Sequence, residues 1–194
     1  MFSLMGKTAI VTGASRGIGE AIAKGFANAG ADLVLVSRNR LTLEGVVKEI
    51  DSLGKRALPI VADTGNLQHI ERAIETTLKF FPKIDVLVNN AGISPILKKA
   101  EETTLKEWEE IVRVNLTGTF LFCQGVGKVM IQQRGGKIIN MVSVGAVVGF
   151  QRQIAYCATK GGILQLTKVL AIEWASHNIQ VNAIGPAYLE TELT

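Results

Sequence analysis

The stretch Thr8-Ala9-Ile10-Val11-Thr12-Gly13-Ala14-Ser15-Arg16-Gly17-Ile18-Gly19 decides the fold. A short apolar run containing β-branched residues passes directly into a glycine-rich turn, and the turn opens a segment, Gly17 to Ala29, whose apolar residues recur three and four apart. Glycines in such a turn let the backbone approach an anion closely. The free N–H groups and positive end of the helix that follows favour a pyrophosphate there. The spacing is G-x-x-x-G-x-G and not the G-x-G-x-x-G of the dinucleotide fingerprint. An ordinary strand-to-helix turn is the plainer alternative, but the flanking strand and helix favour nucleotide binding.

The same alternation continues outward along the chain. Asp32 to Ser37, Ala57 to Ala62, Asp85 to Asn89, Lys137 to Ser143 and Ile179 to Ile184 read as further strands. Their continuous apolar runs are those of parallel strands covered on both faces. Leu41 to Leu53, Leu67 to Phe80, Leu105 to Gln133 and Ile154 to Ser176 read as helices. Strict β/α alternation with right-handed crossovers predicts an α/β fold, a doubly wound Rossmann-type parallel sheet of strand order 3-2-1-4-5-6. No Pro- or Ser-rich linker divides it, so one domain is expected.

Composition limits the partners. The 194 residues are 47% hydrophobic and 20% charged, which excludes a disordered or fibrous chain. The net charge is +4, yet no run of Lys or Arg exceeds two residues, so nucleic acid is not an expected partner. Cys123 and Cys157 lie in apolar patterns and do not suggest a disulfide scaffold; a reducing cytoplasm is the expected location. The start MFSLMGK lacks the features of a signal peptide, and the most apolar segment, Met141 to Phe150, is far shorter than the ~20 residues that span a bilayer. His69 and His177 have no companion ligands, so no metal site is expected.

A second group of residues carries proton chemistry. Tyr156 and Lys160 are four apart on a helical pattern and share a face. A free phenol titrates near ~10, and a neighbouring ammonium favours its phenolate, bringing proton exchange toward neutral pH. Ser143 closes the fifth strand, at the carboxyl edge where open α/β sheets bind ligands. Asn115 is a poor helix former in the middle of a long helical pattern.

Together these motifs resemble the short-chain dehydrogenases/reductases along nearly the whole chain. Thr12 to Gly19 is similar to the family's T-G-x-x-x-G-x-G, Asn89-Asn90-Ala91-Gly92 to its N-N-A-G, and Asn182 to Thr191 to its N-x-I-x-P-G-x-x-x-T segment. Asn115, Ser143, Tyr156 and Lys160 match the family's catalytic four. The resemblance implies hydride transfer between a nicotinamide cofactor and a carbonyl carbon. Tyr156 would exchange the proton, Ser143 would hydrogen-bond the substrate oxygen, and Asn115 would organise a water that connects Lys160 to solvent.

It also implies cofactor contacts from Gly13, Ser15, Arg16, Gly17, Ile18, Gly19, Asn89, Ala91, Gly92, Tyr156, Lys160, Pro186 and Thr191. Asp63 matches the position that contacts adenine, though it reads equally as a helix cap before Leu67. Members of the family continue with another helical segment and a seventh strand, so residues 1–194 are expected to be one domain that lacks its C-terminal part.

Charge indicates which cofactor. An NAD enzyme places an acid about 20 residues after the glycines to hold the ribose diol. Here the second strand ends Val36-Ser37-Arg38-Asn39, with no carboxylate. Arg38 and Arg16 offer cations to a 2′-phosphate, so NADP(H) is expected over NAD(H).

The resemblance implies a small carbonyl or alcohol compound as substrate. Arg152, in the segment between Ser143 and Tyr156, is either a reader of an anionic substrate group or an exposed rim residue. The chain is similar both to 3-oxoacyl carrier protein reductases and to gluconate 5-dehydrogenase-like enzymes; Ile184-Gly185-Pro186 and Ala171-Ile172-Glu173-Trp174 lean to the latter. A homodimer or homotetramer is expected, with Phe120, Phe122, Leu164 and Leu166 as apolar positions for pairing. The alternative is a dinucleotide-binding regulatory or scaffolding module with vestigial activity.

Overall fold

The computed structural model describes residues 2–187. Its strands are β1 (Thr8–Thr12), β2 (Asp32–Ser37), β3 (Ala57–Val61), β4 (Val86–Asn89), β5 (Gly136–Met141) and β6 (Ile179–Ile184). They form a single parallel sheet in the order β3-β2-β1-β4-β5-β6, as expected. The helices are α1 (Gly17–Asn28), α2 (Arg40–Ser52), α3 (Leu67–Phe80), α4 (Leu105–Ile111), α5 (Gly118–Gln133) and α6 (Ile154–Glu173).

Alternation along the central strands creates two cores. Ala9, Val11, Leu33 and Leu35 turn to one face and pack with Ala23 of α1 and Leu43 and Ile50 of α2. Ile10, Val34, Val36 and Ile138 turn to the other, against Ile70 of α3 and Phe122 and Met130 of α5. Removing a side chain such as Leu35 from water is worth roughly 2–3 kcal/mol, so the inner strands hold the scaffold rigid beneath the loops at their carboxyl ends.

Two expectations change at the margins of the sheet. Among the described residues β3 pairs only with β2, and Val61 remains 54% exposed, so this strand is not covered on both faces. Its edge position accommodates Pro59, which has no N–H to give to a further neighbour. β6 likewise alternates buried Ile179 and Val181 with exposed Gln180 and Asn182.

Two further corrections concern the long helical pattern from Leu105 to Gln133. α4 and α5 are joined through a π-helical turn, Val112–Thr117, that contains Asn115. Such turns occur often at functional sites. Phe122, expected to be available for association, is only 1% exposed and belongs to the core. Among the described residues no helix is long and apolar enough to cross a membrane.

Candidate active site

The carboxyl ends of β1, β2 and β4 open onto a cleft of about 830 Å³. Gly13, Ser15, Arg16, Gly17 and Ile18 line one wall of it, Ser37 and Arg38 the next, and Asn90, Ala91 and Gly92 the opposite one.

Steric limits explain the glycines. A Cβ on Gly13, where φ is +64°, would come within 2.9 Å of the Ala91 Cα, and one on Gly19 would lie 2.2 Å from the Gly13 carbonyl oxygen. The turn is held from across the cleft. Asn90 Nδ2 donates to the carbonyls of Thr12 and Gly13 at 3.1 and 3.2 Å, and the Thr12 hydroxyl oxygen accepts from the N–H groups of Asn90 and Ala91, each at 3.0 Å. Gly17 and Ile18, the first residues of the twelve-residue α1, face the same space, so the helix presents free N–H groups there.

A serine pair joins the glycine turn to β2: Ser37 Oγ donates to Ser15 Oγ at 2.8 Å. Arg38 and Arg16 are exposed beside it. Asp63, just past β3, does not cap α3. Asn66 does so instead, its side chain accepting from the N–H of His69. The Asp63 carboxylate accepts from Gly65 N–H at 2.9 Å and from Arg113 at 2.8 Å. Partial burial pushes that carboxyl up, but the Gly65 hydrogen bond and the Arg113 guanidinium outweigh it and hold the group below its ordinary range.

The second cluster adjoins the cleft at Gly92 and Ile93. Asn115, fully buried, accepts from the Ile93 N–H at 2.8 Å and donates to the Ile93 carbonyl at 2.9 Å, so one amide reads both backbone groups of its neighbour. Its Nδ2 also reaches Thr159 Oγ1 at 3.4 Å, and its own carbonyl accepts from the Thr119 hydroxyl at 2.7 Å. Lys160 is buried on α6. Its Nζ donates to the Met141 carbonyl at 2.6 Å and lies 5.7 Å from the centroid of the half-buried Tyr156 ring.

Burial pushes Lys160 down to about 8. A Cβ on Gly92 would stand 3.4 Å from Asn115 Oδ1 and 3.7 Å from Lys160 Nζ, which places both groups against the cleft wall. Ser143 lies two residues beyond β5 and accepts from Gly145 N–H at 3.1 Å. Pro186 joins the same end, its carbonyl accepting from Val144 N–H at 3.1 Å.

Not every expected residue faces the cleft. Asn89 is turned into the interior, where its Nδ2 donates to Asn140 Oδ1 at 2.9 Å and reaches Cys123 Sγ at 3.2 Å. Arg152 is exposed with φ of +63°, and its carbonyl accepts from Lys98 N–H. Thr191 lies outside the described residues. Asn90, Thr64 and Val114 also line the cleft and were not singled out from the sequence. Asn90 was legible as part of N-N-A-G; Thr64 and Val114 carry no local signal.

These features fit a dinucleotide. The glycine cradle would be filled by any Cβ, a helix N-terminus can meet a pyrophosphate, and hydroxyl and cationic groups stand at the end of β2.

Residues 7–194 match the short chain dehydrogenase family. The chain is 41% identical over 192 residues to the NAD-dependent glycerol dehydrogenase of Listeria innocua, covering 99% of this chain and 74% of that protein. It is 39% identical over 197 residues to a 3-oxoacyl-[acyl-carrier-protein] reductase of Synechocystis, covering 100% of this chain and 78% of the relative. Among solved structures, a gluconate 5-dehydrogenase from Burkholderia cenocepacia in complex with NADP and tartrate superposes with a TM-score of 0.93 at 37% identity, covering 99% of this chain and 75% of the other. With the glycine turn, the strand order and these likenesses in agreement, the chain belongs to the short-chain dehydrogenases, a family of oxidoreductases.

Proposed function

We propose that the protein is an NADP(H)-preferring oxidoreductase that interconverts a carbonyl compound and a secondary alcohol, with Asn115, Ser143, Tyr156 and Lys160 as its catalytic group. The observation that carries this reading is Lys160. An ammonium shielded from solvent is expensive to keep, yet this one sits beside the Tyr156 ring with the Met141 carbonyl as its hydrogen-bond partner among the described residues, and burial brings it to about 8, where it can exchange protons near neutral pH.

A nicotinamide dinucleotide bound in the cleft would supply the hydride in reduction and accept it in oxidation. Tyr156 gives its phenolic proton to the substrate oxygen in reduction and takes it back in oxidation. The Ser143 hydroxyl donates to the same oxygen and fixes its position. The Lys160 ammonium favours the phenolate that Tyr156 becomes. Asn115, braced on Ile93, keeps the π-helical turn in register with α6 through Thr159.

Selectivity for the phosphorylated cofactor rests on Arg38 and Arg16, with the Ser15 and Ser37 hydroxyls, at a place where no carboxylate ends β2. The solved relative that holds NADP supports this reading, while the glycerol dehydrogenase relative uses NAD. A sugar acid or a 3-oxoacyl thioester is the proposed substrate, supported by the likeness to a gluconate 5-dehydrogenase and a 3-oxoacyl-[acyl-carrier-protein] reductase, while another relative is a glycerol dehydrogenase; Arg152, exposed before α6, is the candidate to meet an anionic group. The protein works as a homodimer or homotetramer in the cytoplasm, where free thiols at Cys123 and Cys157 are stable.

The test is loss of NADPH absorbance with sugar acids and acetoacetyl thioesters, for the parent and for Tyr156→Phe. The variant should lose at least about 100-fold in kcat while binding NADPH within about twofold of the parent. Substantial turnover without the phenol would assign the proton to another group. Equal affinity of the parent for NADPH and NADH would overturn the cofactor preference.

A further inference from the structure

Two carboxylates near the Ser37–Arg38 end of the cleft share one guanidinium. Arg113 projects from the π-helical turn; its Nη1 donates to Asp63 at 2.8 Å, and its Nε and Nη2 donate to the two oxygens of Glu110, each at 2.9 Å. The contact is closely fitted. A Cβ on Gly65 would come 2.2 Å from Arg113 Nη1, and one on Gly118 would come 2.2 Å from the Thr64 carbonyl oxygen, so loop and turn meet where side chains cannot stand.

Strand register brings Arg38 to the same place. Ser37 is paired with Val61, and the Ala62 N–H donates to the Ser37 carbonyl at 2.9 Å, which sets Arg38 beside the loop that holds Asp63. The charge of Arg38 reaches both carboxylates.

We propose that Arg113 is a determinant of cofactor selectivity that acts without touching the cofactor: by neutralising Asp63 and Glu110 it leaves the field of Arg38 directed at a 2′-phosphate. The proposal rests on the NADP(H) reading of the cleft. With Arg113 in place, Arg38, Arg113, Asp63 and Glu110 balance. Without it the remaining three carry a net negative charge, which attracts Arg38 and repels a phosphate dianion. A ribose diol is uncharged and feels little of this. Arg113 is itself 37% exposed, so solvent and salt moderate the effect.

Dissociation constants for NADPH and NADH, measured on the full chain by quenching of intrinsic fluorescence, decide the matter. Arg113→Met should weaken NADPH about five- to tenfold at low ionic strength and NADH less than about twofold, with the gap closing near ~0.5 M salt. Arg113→Lys should recover most of the loss. Glu110→Gln, a change at the surface, should move the ratio the other way and tighten NADPH about twofold.

Equal weakening of both cofactors by Arg113→Met would make Arg113 a loop brace only and overturn the proposal, as would an unchanged ratio in both Arg113→Met and Glu110→Gln. The parent's own NADPH to NADH ratio tests the cofactor reading separately. The shift in that ratio between parent and variants tests Arg113 whichever cofactor the parent prefers.

Discussion

Where β1 feeds α1, the cleft is made by leaving side chains out, and its walls are glycine backbone held by the amide of Asn90. Where α6 meets the π-helical turn, the adjoining cluster is made by burying polar side chains, Asn115 and Lys160, each satisfied by a backbone group from a distant part of the chain. The first region spends conformational freedom to admit a large anionic guest. The second accepts desolvation to keep a cation beside a phenol. Substitutions should therefore fail for different reasons: volume on one side, unpaired polarity and charge on the other.

Gly19→Ala breaks the first region most directly. The new Cβ would lie 2.2 Å from the Gly13 carbonyl oxygen and 2.4 Å from Asn90 Nδ2, so the turn must move and its hydrogen bonds to Asn90 must open. Cofactor affinity should fall on the order of 1,000-fold, about 4 kcal/mol, by titration of NADPH. Binding within tenfold of the parent would show that the turn yields easily and that the contrast is overdrawn.

Lys160→Met tests the second region through pH. Burial holds Lys160 at about 8, below its ordinary 10.5, so between those values the unfolded chain binds the extra proton and native stability rises with pH. Below pH 8 the parent carries the full penalty of a buried charge; above about 10.5 it carries none. The stability of the variant relative to the parent should accordingly decline by about 3 kcal/mol from pH 7 to pH 10.5, as read from urea unfolding. A difference that does not vary with pH would mean that Lys160 titrates as an exposed amine.

Asn115→Ala should cost about 2 kcal/mol, because it strips both backbone groups of Ile93 of their partner and leaves a small cavity. That corresponds to a fall of about 4–8 °C in Tm. A much smaller fall would indicate that water replaces the amide, and would place the brace outside the fold's energetics. Gly25→Ala, in the middle of α1, supplies the smallest effect and the opposite sign. No atom lies within 4 Å of its would-be Cβ, so chain entropy alone should raise stability by about 0.5–1 kcal/mol. If it instead destabilised, glycines in α1 outside the turn would also be spatially constrained.

The glycine turn was readable because its requirements are local: a strand, a fixed spacing and a helix lie within twelve residues, Thr8 to Gly19. Strand order followed from strict alternation, whose crossovers admit few topologies. The cluster around Lys160 was readable only as a set of residue types in order. The partners that give it meaning carry no sequence signal: Ile93 and Met141 serve through backbone carbonyls, which look the same at every position, and Thr159 through a hydroxyl that many threonines could offer. The fate of Asn89 and Asp63 was hidden for a related reason. Each could serve the cleft or a neighbour, and Asn140 and Arg113, far off in sequence, supplied the neighbours. Pro59, by contrast, is a local signal, since a proline within a strand pattern marks the edge of a sheet.

The π-helical turn between α4 and α5 sets a rule about chain length. A helix advances about 100° per residue, and a π turn accommodates one residue more than the α-helical path between the same ends. Deleting one residue from Val112–Thr117 would remove that extra residue and let the segment close into continuous α-helix, with α4 and α5 keeping their relative rotation. The side chains within the turn would change bearing instead, so Asn115 would lose its position facing Ile93 while Phe122 keeps its place in the core. Between these two anchors the number of residues is as strongly constrained as their identity. A one-residue deletion there should be far more damaging than in the surface turn at Gly54, where no atom lies within 4 Å of a would-be Cβ.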